Sequence, residues 1–587
     1  MPTSTEPIWM FKSDRENLIP LLMVAVLIGL LSGILAVGFR YLLLVATRLC
    51  WQNPFDIVGA ATHLAWYVVI LIPVLGGLAI GPIVSILAPE TRGAGVPEVI
   101  HAVASRQGII KHQTTVYKIL STVISIGTGA SVGREGPIVH IGSSVGSSIA
   151  QLLRLSPEWR TVFLACGAAA GIAATFNAPM AGMLFAVEII LVDFEISHLS
   201  HIAISAVTAT VVSHHFFGNL PAFDIPAYTL VSYREIALYG LLGILAGFVS
   251  IAFIKSISHV EDALNRLKIP GYVQPAVGGL VVGVIALYCP HVIGVGYQSI
   301  NLILTGKMAI NLIAIVLVLK LVATCFSVGA GFSGGIFAPS LVLGSLLGGL
   351  FGIAVNILFP AWVASYPAYG LIGMGAIVSG VTMAPITAIF TIFELTYNFE
   401  IILPLITSCI ASLIIVKKFY GNSIYETKLL KRGIKIVRGH DVNLLRSIPV
   451  TQYMDREYES VRTDTGLREL IVKAQKSRYP HFVVLNHKDE LVGMLSMRDL
   501  KNCLSDMVDL CEIIVAADIM STTVYCLASN DTLETAFEVF EGKHISTLPV
   551  VDSRHRKKVL GILKKSNLLL AYNEKILKIR ILQNRIK

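Results

Sequence analysis

Charge is what this chain has least of. Only 14% of its 587 residues are Asp, Glu, Lys or Arg, against 54% that are hydrophobic. The mean hydropathy is +0.73, which excludes an ordinary soluble protein. From Leu321 to Phe393 there is no Asp, Glu, Lys, Arg or His at all. A spanning helix needs roughly 20 apolar residues, so that window must hold several segments. Asn17 to Phe39, Leu64 to Pro89 and Ile236 to Ile254 supply further candidates for a multi-pass membrane protein. The eight cysteines include no CxxC pair, which argues against a zinc site and against a disulfide framework, and no metal is expected. The first apolar stretch, preceded by Lys12, Arg15 and Glu16, is too long for a cleaved signal peptide.

What charge there is sits unevenly. The formal balance is +9, and Lys417, Lys418, Lys428, Lys431, Arg432, Lys435 and Arg438 follow the last apolar segment closely. No helix-turn-helix or aromatic pattern accompanies them, so they read as residues flanking a lipid bilayer and not as a nucleic-acid surface. The positive-inside rule puts this end in the cytoplasm, and Lys12 and Arg15 place the N-terminus there too, across a plasma (inner) membrane. Composition turns ordinary near residue 440. The expected organisation is a membrane part over 1–430, a linker over 431–446, and a charged part with similar units at 447–507 and 508–587.

The membrane part repeats itself. PIVHIGSSVG from Pro137 matches PSLVLGSLLG from Pro339, an offset of 339 − 137 = 202. Ala178-Pro179 precedes Glu188 as Ala384-Pro385 precedes Glu394, an offset of 385 − 179 = 206. A duplicated unit of this kind, interrupted by Gly and Pro in both copies, points to a binding site near mid-membrane. In each copy a Gly- and Ser-rich loop (GASVGREGP, GAGFSGGIFAP) leads into an apolar helix. Glycines let backbone amides approach a ligand, and a helix N-terminus carries about half a positive charge. Two such termini converging would hold an anion without a full countercharge, weakly enough for it to leave.

GREGP over 133–137 puts an acid inside this apolar setting, where a carboxylate costs of the order of 2.5 to 3.5 kcal/mol on insertion scales and is functional by default. With GAGVPEV at 93–99 and GGIFAP at 334–339, in that order, the chain resembles the CLC family of chloride channels and proton-coupled anion exchangers. The resemblance implies an all-α polytopic membrane domain of inverted repeats, a homodimer with one anion pathway per subunit, and chloride as the transported ion. It assigns Gly93, Ala94, Gly95, Val96, Pro97, Arg134, Gly136, Ile336, Phe337, Ala338 and Tyr425 to anion binding, and Glu135 to the gate. A carboxylate there mimics the permeant anion, and an anion competing for the site favours its protonation and withdrawal. No covalent chemistry, and hence no enzyme, is expected.

Two positions depart from the family pattern. Ala94 stands where a serine hydroxyl is usual, which leaves nitrate or another halide as alternatives to chloride. Ile189 stands where coupled exchangers carry a second, proton-transferring glutamate, with Glu188 as the neighbouring carboxylate. On this ground the sequence favours a voltage- or pH-gated chloride channel, with a proton/chloride antiporter as the alternative. GSSVG at 142–146 also fits the nucleophile elbow of a hydrolase, but that elbow needs a strand before it; Ser144 falls inside the helix opened by Pro137, and the spacing fits helix packing.

From Ser447 on, each unit reads as a strand, a helix, two apolar strands around a turn, and a helix. The two resemble an α/β pair of CBS domains. Ser496 and Asp499 fit that module's phosphate and ribose contacts, whereas Lys564 and Asn567 depart from them in the second copy. The pair is read foremost as a cofactor-free dimerisation and stability module, with an adenine nucleotide as the alternative occupant.

Overall fold

The computed structural model describes residues 18–192, 196–218, 223, 231–396, 398–434, 448–477, 479–497, 499–500, 513–543, 545–553, 555, 557–568, 570–571 and 574. The expected cytoplasmic cations Lys12, Arg15, Lys435 and Arg438, most of the expected linker and the expected domain end at 507 lie outside the described residues. The chain divides into two compact units between Ile436 and Val437.

The first unit is helical. Its first repeat contains α1 (Leu18–Trp51), α2 (Ile57–His63), α3 (Trp66–Pro82), α4 (Val96–Ser105), α5 (His112–Gly127), α6 (Glu135–Leu152), α7 (Pro157–Phe176), α8 (Pro179–Phe185) and α9 (Ile196–Phe217). The second contains α10 (Glu235–Arg266), α11 (Gln274–Tyr288), α12 (Tyr297–Leu304), α13 (Ile310–Ala330), α14 (Phe337–Leu358), α15 (Tyr366–Thr382), α16 (Pro385–Thr396), α17 (Ile402–Phe419) and α18 (Ile424–Lys431). Seven helical spans among the described residues are long and apolar enough to cross a membrane. At 34 residues α1 is about 51 Å long, well over a hydrocarbon core of about 30 Å, and so must tilt. Three shorter apolar segments, Pro179–Leu191, Gln274–Tyr288 and Pro385–Thr396, reach only about 20 Å at 1.5 Å per residue; they end inside the unit. The uncharged window resolves into the end of α13, then α14, α15 and most of α16.

The repeat appears as an exchange of hydrogen bonds. Ser131 Oγ pairs with Thr324 Oγ1 at 2.9 Å, and Thr122 Oγ1 with Ser333 Oγ at 3.0 Å. Ser131 N donates to Ser327 Oγ and Ser333 N to Ser125 Oγ, at 3.0 and 3.1 Å. Each partner has its counterpart 202 positions on (333 − 131, 324 − 122 and 327 − 125). Gly133 and Gly335, at that same offset, form an antiparallel bridge with N–H···O distances of 2.7 and 2.6 Å. Equivalent segments therefore run in opposite directions through the centre of the unit, as an inverted repeat requires.

Small residues allow this closeness. Where α6 crosses α7, a Cβ on Gly142 would strike the Gly167 carbonyl, and one on Gly344 would strike that of Gly373 where α14 crosses α15. The hydrolase-like GSSVG is thus a helix crossing, and its Ser144 accepts a hydrogen bond from Thr115 Oγ1 at 2.5 Å in mid-helix.

The second unit holds two similar three-stranded sheets. In the first, β1 (Ser460–Arg462) pairs in parallel with β2 (His481–Leu485), which pairs antiparallel with β3 (Leu491–Ser496). In the second, β4 (Leu527–Ala528), β5 (Thr547–Val551) and β6 (Val559–Lys564) repeat that order. Each sheet carries one helix between its first two strands, α19 (Leu467–Lys476) and, after the short α20 (Ala516–Ile519), α21 (Leu533–Lys543). The apolar strands and helix faces close separate cores around Leu470, Phe482 and Leu495 and around Leu533, Phe540 and Leu563. The bridges Met494↔Ser521 and Asp455↔Ile562 tie one half to the other.

Candidate functional site

Two buried lysines shape the loops that reach the centre of the membrane unit. Lys118 Nζ donates to the carbonyls of Thr91 and Gly93 at 2.9 and 2.6 Å, and Lys320 Nζ to those of Val292 and Gly294 at 2.9 and 2.8 Å. Each anchors a turn that ends on a glycine of positive φ, +84° at Gly95 and +89° at Gly296, a conformation that costs other residues energy. The turns open α4 at Val96 and α12 at Tyr297.

Glu135 opens α6 and is 1% exposed. Its carboxylate accepts a hydrogen bond from Tyr297 Oη at 2.7 Å and a longer one from Ala338 N, at the start of α14, at 3.4 Å. A negative group at the N-terminal end of α14 meets the positive end of that helix dipole. The side chain thus takes the place an anion would take between a phenol and an amide. Gly133 and Gly335 lock the α6 and α14 entries together, and Gly334 N donates to Gly93 O at 3.2 Å. The three motifs are therefore one cluster.

Two cavities flank this carboxylate. A small one, about 30 Å³, is lined by Ala94, Pro97, Ile336 and Tyr425 with Lys428 and Lys431. Tyr425 is held there because Arg432 pairs with Glu98 of α4 and Lys428 Nζ donates to Arg92 O. A larger one, about 670 Å³, is lined by Arg40, Arg134, Tyr297 and apolar residues of α1 and α7. Of the expected anion ligands, Gly93 presents its carbonyl to Lys118 and Gly334. Val96 is buried, Gly136 packs against the Ala94 carbonyl, and the Phe337 ring stacks at a tilt on Phe176 at 5.6 Å. Ala338 supplies the amide seen on Glu135.

Ile189 is buried on the π-helical turn Ala186–Leu191 that continues α8. Glu188 on the same turn accepts from Ile386 N at 3.2 Å and from Thr387 N and Oγ1 at 2.7 Å each, capping α16. Glu394 of α16 returns the arrangement, accepting from Met180 N and Ala181 N of α8 at 2.9 and 2.7 Å.

In the second unit Ser496 Oγ bonds Asp499 Oδ2 at 2.6 Å, while Asp499 N donates to Ser496 Oγ at 3.3 Å, starting the helix after β3. Lys564 forms an ion pair with Asp455 at 2.8 Å and lies over the Tyr479 ring at 4.8 Å. Asn567 Nδ2 donates to Tyr453 O at 2.7 Å. Lys564 and Asn567 thus fasten the segment Tyr453–Asp455, a partner that sequence reasoning missed.

It also missed Tyr297 and Arg40. The signal for the tyrosine was GVGYQ at 294–298, which lies 201 positions after GAGVP but shares only its two glycines (294 − 93 = 201). Arg40, a cation within the first apolar helix, stood out only as a breach of hydropathy.

Known proteins give this geometry its context. The voltage gated chloride channel family matches residues 76–417, and the CBS domain matches residues 450–506 and 515–574. A putative chloride channel protein ClcB-like of Ralstonia nicotianae is 32% identical over 417 residues, which is 70% of this chain and 97% of that protein. An H(+)/Cl(−) exchange transporter ClcA of Salmonella paratyphi B is 31% identical over 435 residues, 72% of this chain and 90% of its own length. A slow cyanobacterial Cl−/H+ antiporter of known crystal structure aligns with a TM-score of 0.65 at 25% identity, over 70% of this chain and 97% of that one.

Proposed function

This chain belongs to the voltage gated chloride channel (CLC) family and carries a C-terminal CBS pair, a multi-pass membrane protein that transports chloride and is not an enzyme; from that premise we propose that it exchanges chloride for protons, with Glu135 as the shared site. The observation that carries this reading is the seat of the Glu135 carboxylate between Tyr297 Oη and Ala338 N. As an anion it is held there by a charge-assisted hydrogen bond and a helix terminus. Protonation removes the charge that both recognise, so the side chain leaves and chloride enters. Each turnover then links a proton to an anion at one locus. The exchangers among the relatives weigh toward coupling, which the sequence had placed second.

Further readings belong to the same proposal. Anion contact is assigned to the loops at Gly93–Pro97, Arg134–Gly136 and Ile336–Ala338, and to Tyr425. Ala94 offers no hydroxyl, so nitrate and other halides compete with chloride on nearly equal terms. The mouth lined by Lys428 and Lys431 faces the cytoplasm, and two copies assemble as a dimer. The CBS pair works without a nucleotide, since Lys564 is already paired with Asp455.

One observation favours a passive channel. Ile189 cannot carry a proton, and its neighbour Glu188 is engaged at the start of α16. The test is chloride flux from proteoliposomes with external pH recorded under a clamped membrane potential. Proton movement driven uphill by the chloride gradient, abolished in Glu135→Gln, is the expected result. Chloride flux with no accompanying proton movement would replace the exchanger by the channel.

A further inference from the structure

The large cavity on the Tyr297 side of the gate carries two cations from distant parts of the chain. Arg134 precedes α6, and Arg40 lies 39 residues into the sequence numbering after Met1, on α1 (40 − 1 = 39). Both line the same space of about 670 Å³, and among the described residues that line it there is no carboxylate. The two guanidinium groups repel one another. Neither is neutralised by a printed ion pair: Arg40 rests on the ring of Phe217, 3.9 Å from its centroid, and Arg134 faces that of Tyr297 at 5.2 Å. Arg134 Nε is buried with no hydrogen-bond partner, as is Nδ1 of His291 on the same wall.

A low-dielectric cleft lined by charge of one sign concentrates the opposite ion. Two unneutralised guanidinium groups, with buried donors left over, are costly unless something negative visits them. We propose that Arg40 and Arg134 together form an outer anion-binding site, where chloride pauses before it meets Glu135. Arg40 is its specificity-determining member, because Arg134 is fixed in place by the gate loop whereas Arg40 adds the second charge from another helix. A polyatomic anion such as nitrate fits the same planar forks. This inference rests on the chloride transport assigned to the chain and is independent of whether protons are coupled to it.

The test is transport by the full chain in planar bilayers, with chloride titrated on one side at a time against gluconate at constant ionic strength. Arg40→Gln should raise the half-saturating chloride concentration on one side about three- to tenfold, leave the maximal rate and the opposite side unchanged, and flatten the dependence on ionic strength. Arg40→Lys keeps the charge and should recover most of the affinity. Equal half-saturation for the parent and Arg40→Gln would overturn the proposal. So would an Arg40→Lys variant as impaired as Arg40→Gln, since that pattern marks a packing role. The readout is a concentration dependence, so a failure here is distinct from a failure of proton coupling, which is read in external pH.

Discussion

A single phenol decides how tightly the gate is shut. Glu135 receives one short hydrogen bond, from Tyr297 Oη at 2.7 Å, and one long one, from Ala338 N at 3.4 Å. A hydrogen bond to a charged group is worth about 1.5 to 3 kcal/mol, which is roughly a ten- to hundredfold bias between the seated and withdrawn carboxylate. Tyr297→Phe keeps the ring, its edge-on contact with Phe223 at 5.0 Å and the Arg134 stacking, and removes only the donor. Chloride flux at neutral pH should rise, and its stimulation by acid should weaken, because the gate no longer needs a proton to leave. An unchanged pH profile would show that the phenol does not hold the carboxylate. Glu135 itself was legible in the sequence because an acid in an apolar run is conspicuous. Its partner was not, because a tyrosine in an apolar run is ordinary, and only the fold brings residue 297 to residue 135.

Helix starts carry the architecture. The prolines that open α8 and α16 were readable as starts, and so was the pairing of Glu188 with Glu394 as equivalents. What sequence could not supply is that each glutamate caps the helix of the opposite repeat, since the crossing depends on the inversion of the halves. Loss of a capping acceptor costs about 0.5 to 2 kcal/mol. Glu188→Gln and Glu394→Gln should therefore lower the thermal stability of the detergent-solubilised protein by similar amounts, measured by tryptophan fluorescence. Both should retain the proton-to-chloride ratio of the parent. A Glu188→Gln variant that alone loses proton movement would return Glu188 to the proton path and make the symmetry incidental. The helix crossings were legible in part: small-residue spacing marked them, but the partners Gly167 and Gly373 emerge only from the packing.

At the scale of the whole molecule, two units of different chemistry share one chain, and the composition change near residue 440 announced both. The strand and helix order of the CBS pair was also readable, from alternation and turn residues. The contacts between its two halves were not, because they join positions far apart in sequence. One of them makes the pair sensitive to acid. His481 on β2 shares a hydrogen bond of 3.1 Å with Thr547 on β5, so it links the two sheets. Burial pushes its imidazole below the ordinary value of 6.5, with the Asp499 carboxylate opposing that shift. The unfolded segment then binds a proton more readily than the folded one. Stability rises with pH wherever the unfolded state holds more protons, so this contribution is complete above about pH 6.5 and is lost as pH falls from there through the lowered folded value. In the intact protein, amide hydrogen exchange in β2 and β5 should be faster at pH 5.5 than at pH 7.5, after correction for the intrinsic exchange rate. His481→Gln retains a hydrogen-bonding group towards Thr547 without a titrating proton, and it should remove most of that difference. If the difference persists in the variant, the acid sensitivity of the pair lies elsewhere and His481 is simply a packed residue. If it disappears, a fall in cytoplasmic pH loosens the CBS pair and favours protonation of Glu135 in the same chain, so that two separate groups respond to one signal.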